Sequence, residues 1–205
     1  MKRLQIIDST TISLFSNLIF KGVGRHPKIG KKKGGIKVYT VIHANEGIPS
    51  DIKFTSAATN DSFMLRPGRL SKGDIVAMDR AYINYEKFEE LTQRGVIYVT
   101  KMKKSLRYEV LEDVMYQTPE GYMEVRIQYV EFTKLLKDGQ SITHKARLIT
   151  YADVQKRRII TLLTNDMEFD PTEIIAIYRQ RWEIELLFYA KLKIMGSTSS
   201  VVGLI

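Results

Sequence analysis

The sequence predicts an α/β domain: a mixed sheet with flanking helices and an insertion of β-strands ahead of its last long helix. Three observations carry that expectation. Apolar β-type segments and a helical segment alternate through the first 107 residues. Four β-type segments, YEVLEDVMY, YMEVRIQYVEF, HKARLITYA and RRIITLLT, then follow one another between Tyr108 and Asn165. Asp170-Pro171 finally opens a long helical run, with Pro171 suited to a first helical turn and Glu173 soon after. The change from an alternating to an all-β pattern reads as an insertion or subdomain rather than more of the same sheet. The expected division is therefore 1–107 for the first part of the core, 108–166 for the β-rich insertion, 167–195 for the C-terminal helix and 196–205 for a tail.

In chain order, RLQIID (Arg3 to Asp8) is β-rich and runs into Ser-Thr-Thr, small polar residues that favour a turn. ISLFSNLIF is short and apolar, and Lys21 to Gly35 reads as a flexible basic loop. IKVYTVIHA and IKFTSA are strands joined around Asn45-Glu46-Gly47. DIVAMDRAY supplies the next strand, preceded by the turn Ser71-Lys72-Gly73. NYEKFEELTQRG has an Asn cap, apolar Phe88 and Leu91 on one face, and Gly95 as its stop. VIYVTKM returns as a strand. No internal repeat is present.

The bulk numbers fit one large domain or two small ones: 205 residues, 44% hydrophobic and 10% aromatic. A net charge of +9 favours polyanionic partners, nucleic acid first and an anionic membrane surface second. The absence of cysteine excludes disulfides and thiolate metal sites and suits a reducing cytoplasm. No stretch approaches the roughly 18 apolar residues of a membrane helix, so a soluble protein with no membrane partner is expected.

Two carboxylates, Asp8 in IID and Asp79 in AMD, close apolar strands, and in an open α/β sheet such ends border the ligand crevice. Taken singly, Asp8 reads equally as the cap of the following turn and Asp79 as a partner for Arg80. The helix IYRQRWEIELLF changes the balance. At about 100° per residue, Tyr178, Arg181, Trp182 and Glu185 share one face while Glu183 points nearly the opposite way. Three carboxylates gathered from separate elements would repel strongly unless a divalent cation neutralised them. Oxygen-only ligands suit Mg²⁺ or Mn²⁺, and two such ions about 4 Å apart would activate an attacking hydroxyl and stabilise a leaving oxygen on a phosphodiester.

IIDSTTISLF, KKKGGIKVYTVIHA, SAATND, VAMDRAY and YRQRWEIELLF, in this order from Arg3 to about Lys193, resemble the DDE-type transposases of bacterial insertion sequences, specifically the insertion-sequence-four family. The resemblance implies a ribonuclease-H-like fold with a β-strand insertion before the final catalytic helix. It implies Asp8, Asp79 and Glu185 as the catalytic, metal-binding carboxylates, with two Mg²⁺ or Mn²⁺ ions. It also places the tyrosine and arginine of the family's tyrosine, arginine, glutamate, lysine signature on Tyr178 and Arg181. Two departures stand out. The signature lysine falls on Leu192, leaving Lys193 as the nearer substitute on the Glu185 face, and Asn60 stands where the family often has histidine. The implied chemistry is cleavage of double-stranded DNA at the transposon ends followed by strand transfer to a target, by a homodimer, in the bacterial cytoplasm at the nucleoid.

Lys21, Arg25, Lys28, Lys31, Lys32, Lys33 and Lys37 carry seven positive charges with no acid between them. With Arg80 they are candidates for contacts to DNA phosphates; the bland alternative is a solvated loop. His26, His43 and His144 lie in separate segments and suggest no metal cluster. The other readings of the chain are a DNA-binding remnant without catalysis, favoured by Leu192, the start at the first strand and the Gly-Ser tail, and a stand-alone nuclease of the same fold.

Overall fold

A computed structural model of the chain describes residues 3–13, 24–25, 34–46, 48–118, 123–136, 139–153 and 157–182. The first apolar segment forms β1 (Leu4–Ser13), which does not stop at Asp8 as expected but runs on through Ser-Thr-Thr. Threonine is β-branched and fits a pleated ladder, and here the pairing partner wins over the turn preference of small polar residues. That partner is β3 (Gly34–His43), antiparallel to β1 from Gln5↔His43 to Ser13↔Gly35. Part of the expected basic loop is also ordered, because β2 (Gly24–Arg25) pairs with the start of β3. β4 (Ile48–Ser56) lies antiparallel on β3, as the hairpin reading required.

On its other side β1 is parallel to β5 (Ile75–Met78), and β5 is parallel to β6 (Ile97–Lys101). The order β4, β3, β1, β5, β6, antiparallel on one side of β1 and parallel on the other, is a ribonuclease-H-like mixed sheet. Between β5 and β6 runs α1 (Tyr85–Gln93). The Asn84 side chain accepts from the Lys87 amide at its start, and Gly95 takes a φ of +68° just past its end.

The expectation of a β subdomain separate from the sheet is corrected. The strands β7 (Glu109–Gln117), β8 (Glu124–Leu135), β9 (Ser141–Asp153) and β10 (Arg158–Thr164) form an antiparallel meander whose last strand returns to pair with β6. All of them therefore belong to one continuous sheet. Helix α2 (helical residues 171–182) begins at Pro171, with Asp170 Oδ1 accepting from the Thr172 amide.

Strand alternation divides the core in two. Ile7, Val76, Met78 and Tyr98 face Phe88 and Leu91 of α1, whereas Leu4, Ile6, Ala77 and Val99 face Ile174, Ile175 and Tyr178 of α2. Both faces of the parallel strands are thus covered, which explains why β5 is apolar at every position.

In the α1 layer, the fully buried His144 of β9 sits with Nε2 2.6 Å from the Tyr98 hydroxyl and Nδ1 2.9 Å from Glu89 Oε2. Burial holds the imidazole below its ordinary value, with the Glu89 carboxylate pulling the other way. The unfolded chain therefore takes up this proton first. Stability is complete above the ordinary histidine value of about 6.5 and declines as pH falls through it toward the folded-state value. The thermal midpoint of the native chain should fall between about pH 7 and about pH 5. His144→Gln should lower the midpoint at neutral pH and flatten that decline, as read by circular dichroism melts across the same range.

Candidate active site

The parallel register of β1 and β5 ends at Ile7 beside Met78, so the next residues along the two chains are Asp8 and Asp79. Adjacent strands lie about 4.8 Å apart, and side chains at equal register in a parallel pair point the same way. Asp8 follows the alternation of Leu4 and Ile6, and Asp79 that of Ala77, so both belong to the face covered by α2. Asp8 is consequently not at the end of its own strand. It stands in mid-strand, and only its parallel neighbour β5 ends beside it. The row continues across the sheet: β5 and β6 are in register at Met78 and Thr100, which puts Lys101 next after Asp79.

Asp79 caps the short 3-10 turn Arg80–Tyr82, its Oδ1 accepting from the Ala81 amide at 2.9 Å. The capping role considered for Asp8 thus falls to Asp79, and Arg80 is exposed rather than ion-paired to it. The Asp8 side chain keeps 23% of its exposure, and the nearly buried Arg181 of α2 approaches it, Nη1 to Oδ1 3.9 Å. That separation is coulombic contact rather than a hydrogen bond. The Arg181 guanidinium is held against the rings of Tyr178 at 5.1 Å and Trp182 at 5.8 Å, while Arg158 of β10 covers the Trp182 ring at 5.5 Å. Tyr178 itself is only 3% exposed within the apolar cluster. The buried face of α2 thus delivers one positive charge to Asp8.

A second network braces β1 from the α1 side. Ser9 donates to Asp61 Oδ1 at 2.8 Å, and Lys37 Nζ lies 3.3 Å from the same carboxylate and donates to the Thr59 carbonyl at 2.7 Å. Above it, the rings of Tyr39 and Tyr82 meet edge to face at 6.4 Å. Burial, with the carboxylates of Asp61 and Asp8 adding to it, pushes the Tyr82 phenol well above its ordinary value, so this hydroxyl stays protonated. The Asn60 Oδ1 accepts from the Ser62 amide and so caps the turn that presents Asp61.

Of the residues expected at the site, Asp8, Asp79, Tyr178 and Arg181 come together, with Arg80 beside them. The assignment of Lys37 to DNA phosphate is corrected: the residue is 8% exposed and already engaged by Asp61 and the Thr59 carbonyl. Lys31, Lys32, Lys33, Glu185 and Lys193 lie outside the described residues, and of Arg25 only the backbone, in β2, is described. Sequence reasoning passed over Asp61 as a brace, although it sits in the SAATND segment, and over Lys101, whose place in the row follows from register alone. Among the described residues no three His, Cys, Asp or Glu side chains converge as a metal cluster; the register brings the two carboxylate residues Asp8 and Asp79 side by side. No helix among them is long and apolar enough to cross a membrane.

The family described as Transposase DDE domain matches residues 1–198. Among relatives named as transposases, y4zB of Sinorhizobium fredii is 27% identical over 188 residues, covering 90% of this chain and 50% of its own length. That of insertion sequence element IS5377 of Geobacillus stearothermophilus is 22% identical, covering 91% and 47%, and that of IS4SA of Synechocystis sp. is 24% identical, covering 89% and 48%. The chain thus spans about half the length of the curated relatives it matches. Among solved structures, a piggyBac transposase synaptic complex with hairpin DNA overlaps 91% of this chain and 40% of its own, at 12% identity and a TM-score of 0.47.

The brace at Asp61 generates a test. Lys37→Met should leave a partly buried carboxylate without its cation and lower unfolding stability by about 1–3 kcal/mol in a denaturant titration. A lysine serving only as a phosphate contact would leave stability unchanged and reduce the salt dependence of DNA binding instead.

Proposed function

Because the chain belongs to the Transposase DDE domain family, we propose that it is the catalytic domain of an insertion-sequence transposase that cleaves DNA strands and transfers them to a target. The observation that carries the reading is the adjacency of Asp8, in mid-strand, and Asp79, just past the end of the parallel β5, under a helix that already sends Arg181 to Asp8. Glu185, four residues beyond Arg181 in sequence, is the third member of the set.

The donor set suits the divalent ions on which the family generally depends. Asp8 and Asp79 offer carboxylate oxygens only, from neighbouring strands, and Asp8 retains solvent access. With Glu185 they would hold two Mg²⁺ or Mn²⁺ ions, which when bound lower the pKa of an attacking hydroxyl and stabilise charge on the phosphodiester. The remaining work belongs to the chain. Arg181 offsets the repulsion between the carboxylates before any ion arrives, and the Ala81 amide fixes the Asp79 side chain. Arg80 stands at the mouth to meet substrate phosphate.

The substrate is double-stranded DNA. Water opens a phosphodiester at the transposon end to leave a 3′ hydroxyl, and that hydroxyl then attacks a target phosphodiester and displaces the target's own 3′ oxygen. Arg25, Lys31, Lys32, Lys33 and Lys193 contribute backbone contacts, a homodimer holds the two ends, and the reaction takes place at the bacterial nucleoid.

Asp8→Asn, Asp79→Asn and Glu185→Gln should each reduce Mn²⁺- or Mg²⁺-dependent nicking of labelled DNA by at least about 100-fold while retaining salt-sensitive binding. Equal nicking by the native chain and all three variants would remove the assigned centre. Binding without nicking by the native chain would instead identify a DNA-binding remnant.

A further inference from the structure

Past the ends of β5 and β6, on the face covered by α1, lies a cleft of about 370 Å³ whose lining, apart from Arg80, has been given no role above. Arg80, Lys101, Lys103 and Lys104 line it together with Tyr108 and Thr161, and no acidic residue contributes to its wall. The cations come from separate places. Arg80 follows Asp79 in the 3-10 turn, Lys101 ends β6, and Lys103 and Lys104 lie in the connection to β7, where the Leu106 amide donates to the Lys103 carbonyl at 3.2 Å.

Among the described residues, Arg80, Lys103 and Lys104 enter no salt bridge, whereas Lys37 and Arg181 are both paired with carboxylates. Like charges gathered around one concavity repel, and the fold tolerates them because solvent or an anionic ligand screens them. Tyr108, 39% exposed and with its ring 5.7 Å from that of Phe132, adds an aromatic side chain to the cleft lining, a surface suited to a base or sugar.

We propose that this cleft binds the sugar-phosphate backbone of a DNA strand that runs over the end of β6, from the face of the Asp8–Asp79 pair to the face covered by α1. The cations are spread over the ends of neighbouring strands, a layout matching successive phosphates rather than a single anion. The contacts read backbone and not base edges, so binding is insensitive to sequence. This inference rests on the reading that the chain acts on DNA.

The test measures binding of a labelled duplex by fluorescence anisotropy across a salt series, using the whole chain. Lys103→Glu/Lys104→Glu should weaken binding at least about tenfold at low salt and make the slope of log affinity against log salt shallower by about 2. Lys72→Glu/Lys145→Glu makes the same charge change on exposed residues at the opposite end of the sheet and should do neither. If the first variant melts below the native chain, Lys103→Gln/Lys104→Gln replaces it, with a slope change of the same sign. Equal effects of the two charge reversals, or no duplex binding by the native chain, overturn the proposal. So does orthophosphate displacing DNA beyond chloride of equal ionic strength, since that outcome marks a site for a free anion. A metal-supplemented nicking assay run in parallel separates the two readings: loss of binding only at the cleft with no nicking by the native chain sinks the catalytic reading and leaves this one standing.

Discussion

The parallel pairing of β1 with β5 fixes everything at the candidate centre, because it alone sets Asp8 beside Asp79. The two residues lie 71 positions apart in the chain and have no local reason to meet. A slip of one residue would turn Asp8 onto the α1 face and take it away from Arg181. Burial on both sides opposes that slip. Ile6 and Ala77 are wholly enclosed under α2, and Met78 is wholly enclosed under α1, so any other register would move apolar side chains out of two cores at once. The carboxylate pair is thus held together by hydrocarbon packing, against its own repulsion.

The strands added after β6 connect this packing to the helix. β10 returns to β6, so the meander extends the same hydrogen-bonded surface, and two of its side chains then reach the first turn of α2. Arg147 of β9, 2% exposed, donates to the Phe169 carbonyl at 2.6 Å, and the Tyr116 hydroxyl of β7 donates to Asp170 Oδ2 at 2.5 Å. Hydrogen bonds from the Thr172 hydroxyl, then from the Tyr116 hydroxyl and the Thr172 amide, hold the Asp170 carboxyl below its usual range. The insertion therefore acts as a clamp on the start of α2, and the placement of Arg181 three turns later depends on that clamp.

Much of this was legible in the sequence because the signals were local. The Asn84 cap, the Gly95 stop, the Pro171 start and the apolar strands each follow from a few neighbouring residues. The failures share a cause, which is partnership across the chain. Ser9 to Thr11 read as a turn until β3 supplied a ladder. Lys37 read as a loop cation until Asp61, 24 residues on, claimed it. The four β segments read as a separate unit until β10 paired with β6. The face shared by Tyr178, Arg181 and Trp182 was readable from helical spacing, but the target of Arg181 was set by the sheet register beneath it.

The distribution of positive charge follows the same logic and gives the net charge a more specific meaning. Lys37, Arg147 and Arg181 are buried, and each is committed to an internal oxygen, so they contribute to the fold and little to the field felt by a partner. Arg80, Lys103 and Lys104 enter no salt bridge among the described residues and line one cleft past the ends of β5 and β6. Under the proposed function, affinity for the DNA backbone is supplied by residues distinct from the Asp8–Asp79 pair, and each set can be removed without dismantling the other.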